Sequence, residues 1–371
     1  MISNLKKTSI LLLLILVLVT GCSTNTPTTD SKEETTKAVD FSESTEKTTV
    51  EEPEATTSPT SAAPSSASIN AAEIRIGALK GPTAMGMVQL MSESEQSGSG
   101  AANYQFNIAA AIDEVGPKLI QGDLDIAAVP ANMASVLFNN SKGQIQVLAI
   151  NTLGVLYIVE NGNHVQSIED LRGKTIFAYG KGATPELALN YILSSGGLSP
   201  DNDVNIEWKS EHTECVVALA QSENAVAMLP QPFVSTAQLQ NDQIRIALDM
   251  TEEWENLQDG SITPSAMITG VTVVRKAFAE ENSTAVSNFL DMYKASADYA
   301  NQNIDGTAAL IGKYEIIPEA VAKKALPYCS IAFIEGEEMK EKLSGYLQVL
   351  LDQNPESIGG ELPSDDFYFI R

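Results

Sequence analysis

Histidine and cysteine are almost missing from this chain: 371 residues carry 2 histidines and 3 cysteines. So few imidazoles and thiols exclude a His/Cys metal cluster and a disulfide-stapled scaffold. Neither His164, in the turn Asn161-Gly162-Asn163-His164, nor His212, in Ser210-Glu211-His212-Thr213, belongs to a metal-ligand or triad arrangement, and both are expected at the surface. Walker, Gly-x-Ser-x-Gly and metalloprotease motifs are also missing, so no catalytic residue, metal or cofactor is expected. Positive charge is scarce: 23 Lys and Arg stand against 48 Asp and Glu, a formal net charge of -25. That balance excludes nucleic acid and an anionic lipid surface as partners, since both need clustered basic groups. The most apolar run, Ile10 to Leu18, is shorter than the roughly 20 residues that span a bilayer.

What that run does have is the layout of a secretory leader: Lys6 and Lys7 before it, then the small residues of Val19-Thr20-Gly21-Cys22. Val-Thr-Gly-Cys resembles the bacterial lipobox, so residues 1–21 are expected to be a lipoprotein signal peptide and Cys22 the lipidated first residue of the mature chain. Two acyl chains on a diacylglycerol thioether suffice for stable attachment outside the cell membrane. Ordinary secretion with cleavage near Gly21 is the alternative. Residues 22–72 are rich in Ser, Thr, Glu, Pro and Ala and hold few large apolar side chains, so they are expected to remain an unfolded stalk.

About 300 residues follow, more than one hydrophobic core usually serves. Their pattern alternates between strand and helix. Ile74 to Leu79 reads as a strand, Thr83 to Met91 as a helix, Tyr104 to Ala109 as a strand and Glu114 to Gln121 as a helix. The strand Leu124 to Val129, the helix Met133 to Asn139 and the strand Ile145 to Asn151 continue the series. A second series opens at Lys174 to Tyr179 and continues through helices Pro185 to Leu193, Thr213 to Gln221 and Phe233 to Gln240, with strands Val204 to Trp208, Ala225 to Leu229 and Gln243 to Leu248 between and after them. Alternation of this kind predicts parallel sheets covered on both faces.

Both series begin with one phrase, strand then Lys80-Gly81-Pro82-Thr83 then helix, and strand then Lys181-Gly182-Ala183-Thr184 then helix. The threonines are expected to cap helices whose first N–H groups point out of the carboxyl ends of strands, where open α/β sheets take ligands. Two such edges facing each other would make a cleft. Well-capped βα turns without a ligand remain the competing reading.

The segments Asp123-Leu124-Asp125-Ile126-Ala127-Ala128-Val129-Pro130, Asp170-Leu171-Arg172-Gly173-Lys174-Thr175-Ile176, Met228-Leu229-Pro230-Gln231-Pro232-Phe233 and Val273-Val274-Arg275-Lys276 add to the leader and the two repeats. Together they resemble substrate-binding lipoproteins of ABC importers, of the nitrate, sulfonate and taurine type that includes relatives binding thiamine pyrimidine precursors. The resemblance implies an α/β protein of two doubly wound lobes joined by two crossover strands, a type II periplasmic-binding-protein-like fold. It places the crossovers near Thr152 to Tyr157 and Ser265 to Thr272. Residues 73–153 and 269–371 then form lobe 1, and 154–268 lobe 2. Helices Thr284 to Asn301 and Glu337 to Leu351 complete lobe 1 through apolar positions at helical spacing. The implied partners are a small-molecule ligand, an ABC permease and its ATPase, and the membrane through the lipid anchor; a monomer is expected. Family members usually have Pro-Glu-Pro where Pro230-Gln231-Pro232 stands, and the change to Gln231 disfavours a cationic ligand.

Position at strand ends selects the ligand-binding candidates: Lys80, Thr83 and Met85 in the first repeat, Pro130 and Asn132 after the third strand, Asn151 at the next strand's end, and Thr184 in the second repeat. Gln231 and Phe233 follow Leu229, while Met267 and Thr269 stand at the return crossover. Lys80 and Lys181 at the lips, with the helix N-termini, predict an anionic or electron-rich ligand on an apolar body, with neutral heteroaromatics as the main competitor. A disulfide between Cys215 and Cys329 is permitted outside the cell, but free thiols are expected, because both cysteines stand in apolar surroundings and a bond between lobes would hinder closure. Two rival classes stay open, a tethered enzyme on this fold and a sensory lipoprotein without a transporter.

Overall fold

The computed structural model describes residues 73–97, 103–258 and 265–371. The expected leader, Cys22 and the stalk up to residue 72 lie outside them.

The first series folds as β1 (Glu73–Leu79), α1 (Pro82–Met85), α2 (Val88–Ser97), β2 (Asn103–Ala109), α3 (Gly116–Gln121), β3 (Ile126–Pro130), α4 (Ala131–Ser141) and β4 (Ile145–Leu153). Period-two alternation builds β1, with Ile74, Ile76 and Ala78 buried. The single helix expected over Thr83 to Met91 is instead two, broken at Gly86-Met87. Ser296 bridges the break: its Oγ donates to Gly86 O at 2.7 Å and accepts from Leu90 N at 3.1 Å. A Cβ on Gly86 would stand 3.0 Å from Ile331 Cγ2, so the break is packed as well as hydrogen-bonded.

From β4 the chain passes within two residues into β5 (Leu156–Asn161), followed by β6 (Thr175–Tyr179), α5 (Thr184–Ser195), β7 (Asn205–Lys209), α6 (His212–Gln221), β8 (Val226–Pro230), α7 (Phe233–Gln240), β9 (Ile244–Asp249) and α8 (Met250–Leu257). It returns through β10 (Ile268–Arg275) to α9 (Lys276–Glu281), α10 (Ser283–Gln302), α11 (Ile304–Lys313), α12 (Glu319–Ala325), β11 (Ile331–Ile334) and α13 (Gly336–Gln353).

Two sheets result, ordered β11-β4-β10-β3-β1-β2 and β7-β6-β8-β5-β9. They are mixed, which corrects the expectation of parallel sheets. β5 runs antiparallel to β8 and β9, and β10 antiparallel to β3 and β4. For β5 the cause is the short link from β4: a strand that crosses directly from the carboxyl end of one sheet enters its neighbour at that sheet's carboxyl end and must run the opposite way, and β10, which follows α8, enters the first sheet at the same edge. Both crossings therefore hold the two carboxyl edges together, and this juxtaposition positions the site.

The two long C-terminal helices pack as their spacing predicts. Val286, Phe289, Leu290 and Tyr293 of α10 are buried, as are Met339, Leu343, Tyr346, Leu347 and Leu350 of α13. Each buried leucine contributes about 1.5 to 3 kcal/mol relative to exposure. The α13 residues share one continuous apolar cluster with Leu187, Ile192 and Trp254 of the other lobe, so α13 closes one side of the interlobe space.

Candidate functional site

A cavity of about 370 Å³ lies between the facing carboxyl edges. Lobe 1 contributes Pro130 at the end of β3, Asn132 and Met133 in the first turn of α4, and Tyr346 of α13. Across from them stand Ala183, Thr184, Pro185 and Ala188 around the start of α5, His212 at the start of α6, and Pro230 at the end of β8. The crossovers supply Val155, Leu156, Met267, Ile268 and Thr269. No Asp, Glu, Lys or Arg is among these residues. Neither α4 nor α5 has a side-chain cap, so their opening N–H groups have no side-chain acceptor.

Of the residues expected to meet ligand, Pro130, Asn132, Thr184, Met267 and Thr269 line this cavity. Lys80 and Lys181 are exposed and do not. Met85 is fully buried in the lobe 1 core, with its Sδ 3.8 Å from Cys329 Sγ. Asn151 is committed to a buried pair of threonines: its Nδ2 donates to Thr272 Oγ1 at 3.0 Å, and its Oδ1 accepts from Thr152 Oγ1 at 2.9 Å. Gln231 Oε1 accepts from Ser235 N at 3.3 Å and from Ser235 Oγ at 2.9 Å, which ties the side chain to α7. Phe233 stands behind His212 and does not line the cavity.

The expected threonine caps are not formed. Pro82 occupies the first position of α1, which makes Gly81 the N-cap and leaves Thr83 Oγ1 to donate back to Leu79 O at 3.1 Å. In the second repeat Ala183 is the N-cap and Thr184 already lies inside α5. The first repeat lines no part of the cavity, and β10 lies against it. A Cβ on Gly270 would come within 2.5 Å of both Thr83 Cγ2 and Asn151 Oδ1, an approach that only glycine allows.

His212 corrects the surface reading. Its ring meets Tyr179 edge-to-face, with centroids 4.5 Å apart, and Phe233 at a tilt, with centroids 4.6 Å apart, and it forms part of the cavity wall. Nδ1 is enclosed without a hydrogen-bond partner, and burial pushes the imidazole down to about 4, so it is uncharged at neutral pH. The signal was present in the sequence: His212 opens a helix directly after a strand, the rule that selected the other candidates. His164 is exposed, as expected.

Cys215 and Cys329 are buried free thiols, with burial raising both. Among the described residues no group of three or more His, Cys, Asp or Glu could hold a metal ion, and no helix is long and apolar enough to cross a membrane.

The model of the family described as ABC transporter, phosphonate, periplasmic substrate-binding protein matches residues 96–309. Among solved structures, an ABC transporter from Parabacteroides distasonis is similar at 22% identity with a TM-score of 0.66, over 80% of this chain and 98% of that one. The periplasmic aliphatic sulphonate binding protein of Escherichia coli is similar at 16% identity with a TM-score of 0.60, over 79% and 92%. The periplasmic nitrate-binding protein of Synechocystis PCC 6803 is similar at 12% identity with a TM-score of 0.52, over 80% and 83%. These identities carry the type II periplasmic-binding-protein fold alone. No curated protein sequence matches the chain.

Proposed function

The chain belongs to the ABC-transporter phosphonate periplasmic substrate-binding protein family, and from that premise we propose that its interlobe cavity takes a small, flat, uncharged organic solute with an apolar body. The protein is the solute-binding component of an ABC import system, extracytoplasmic and not an enzyme.

The observation that carries the solute class is a cavity wall without one ionised side chain. Prolines, methionines and Tyr346 supply apolar contact, and Asn132, Thr184 and Thr269 supply a few polar groups. An anion here would lose several kcal/mol of hydration. The two uncapped helix ends return at most about 2 kcal/mol each. Desolvation therefore outweighs the dipoles, and a neutral ring is favoured over the anion that the lip lysines predicted.

Matched acid and amide forms of one aromatic compound, titrated calorimetrically near neutral pH, test this reading. The amide is expected to bind at least tenfold more tightly, and Lys80→Ala to leave both affinities unchanged. Tighter binding of the acid, weakened by Lys80→Ala, would overturn it.

Residues 73–153 with 269–371, and 154–268, would act as the two closing bodies, with Cys22 anchoring the chain through the stalk over 22–72. Cys22→Ser is expected to move the protein from the membrane fraction to the soluble one with its melting temperature unchanged. Membrane association that survives this change argues against the anchor.

A further inference from the structure

The geometry points to His212 as the specificity-determining residue of this cavity, its imidazole meeting the polar edge of the flat solute by a hydrogen bond; we infer this on top of the neutral-solute reading above.

Three independent features converge on this side chain. It lines the cavity directly, at the first position of α6, opposite the lobe 1 residues Asn132 and Tyr346. Its ring is in edge-to-face contact with Tyr179 and in tilted contact with Phe233, which restrains its orientation before a ligand arrives. Fixed orientation lowers the ordering cost of binding. Its Nδ1 is enclosed and yet unpartnered. Enclosure takes Nδ1 out of reach of a solute in the cavity, which leaves Nε2 as the ring nitrogen that meets one.

The other polar side chains of the wall are less suited to reading a ring edge. Asn132 Nδ2 already donates to Ser357 O at 3.0 Å. Thr184 and Thr269 carry short hydroxyls that rotate to suit either a donor or an acceptor. The uncharged imidazole presents its Nε2 at a fixed angle, as donor or acceptor according to tautomer, which discriminates between a ring with polar edge atoms and a hydrocarbon of the same shape.

The test uses three probes of similar size: benzimidazole, indene, which has the same outline without nitrogen, and benzenesulfonate. Wild-type protein is expected to bind benzimidazole at least tenfold more tightly than indene. His212→Phe keeps a ring between Tyr179 and Phe233 and should bring that ratio within about threefold, mainly by weakening benzimidazole. His212→Asn restores part of the preference, which separates lost hydrogen bonding from a folding defect. A benzimidazole-to-indene ratio unchanged in His212→Phe overturns the role of His212 and leaves the neutral-solute reading standing. Wild-type binding of benzenesulfonate alone, or of none of the three, overturns that underlying reading.

Discussion

Arg275 Nη2 lies 3.1 Å from Asp125 Oδ1, joining two of the segments that mark the family, the one leading into β3 and the one ending β10. Arg75 completes the clasp from β1, with Nη2 2.7 Å from Oδ1 and Nε 2.9 Å from Oδ2, and its backbone N–H also donates to Oδ2 at 3.0 Å. Asp125 is 1% exposed. The clasp sits at the amino edge of the lobe 1 sheet, opposite the cavity, and fixes the strand that returns from lobe 2. These motif residues act on the fold and not on the solute.

Asp125→Ala should therefore cost about 3 kcal/mol, since it leaves two arginines without their buried acceptor. Urea unfolding would measure the loss, and affinity per folded molecule should stay the same. Burial raises the Asp125 carboxyl, but hydrogen bonds from Arg75 and Arg275 more than offset this and hold it below its ordinary value of 3.8. The unfolded chain then takes up this proton first as pH falls. The clasp's contribution is complete above 3.8 and is lost as pH drops through the lower folded value.

His212 acts in a different window. Burial lowers it from 6.5 to about 4, so the unfolded chain binds a proton in that interval that the folded chain does not. Melting temperature should fall as pH is lowered from 6.5 towards 4, and His212→Phe should flatten this part of the profile. An identical slope in the variant would mean that other groups set it.

Gly154 in the first crossover lies against Thr251 Oγ1 and Met267 Cε, with no room for a Cβ. Gly154→Ala must displace both Thr251 and Met267, the latter a cavity-lining side chain, and should weaken solute binding about tenfold while costing about 1 to 3 kcal/mol of stability. Adding Met267→Ala should recover much of the affinity. Calorimetry on both variants reads the effect, and unaltered binding in the single variant would separate this hinge from the cavity.

Trp254 donates from Nε1 to Ser265 Oγ at 3.0 Å and packs on Tyr191 of lobe 2 and Tyr346 of lobe 1, with centroids 4.3 and 5.7 Å away. Relative movement of the lobes should change its surroundings. In a Trp208→Phe background, with Trp254 the remaining tryptophan of the 2, emission is expected to shift on solute addition, and Tyr346→Ala should reduce that shift. A ligand-saturated spectrum identical to that of the free protein would argue against closure.

Burial raises Cys215 to about 11 and Cys329 to about 12, so both thiols are protonated as well as enclosed near neutral pH. Neither should react with a thiol-specific disulfide reagent until the protein unfolds. Rapid labelling of the folded protein would contradict their burial.

The sequence by itself determined most strands and helices of the two series and the facing of the two long C-terminal helices. Period-two runs such as Ile74 to Ala78 and helical spacing such as Leu343, Leu347 and Leu350 are local signals, and local sterics and burial act on them directly. It also selected the strand ends where Pro130, Asn132, Thr184, Met267 and Thr269 meet the cavity. Only the tertiary structure decided that β5 and β10 run antiparallel within their sheets, because the direction of a crossover strand depends on which sheet receives it. The same non-local packing set β10 against Thr83 at Gly270, sent Met85 into the core and left Lys80 outside. It placed His212 between two rings contributed by residues 179 and 233, a neighbourhood that no window of sequence contains.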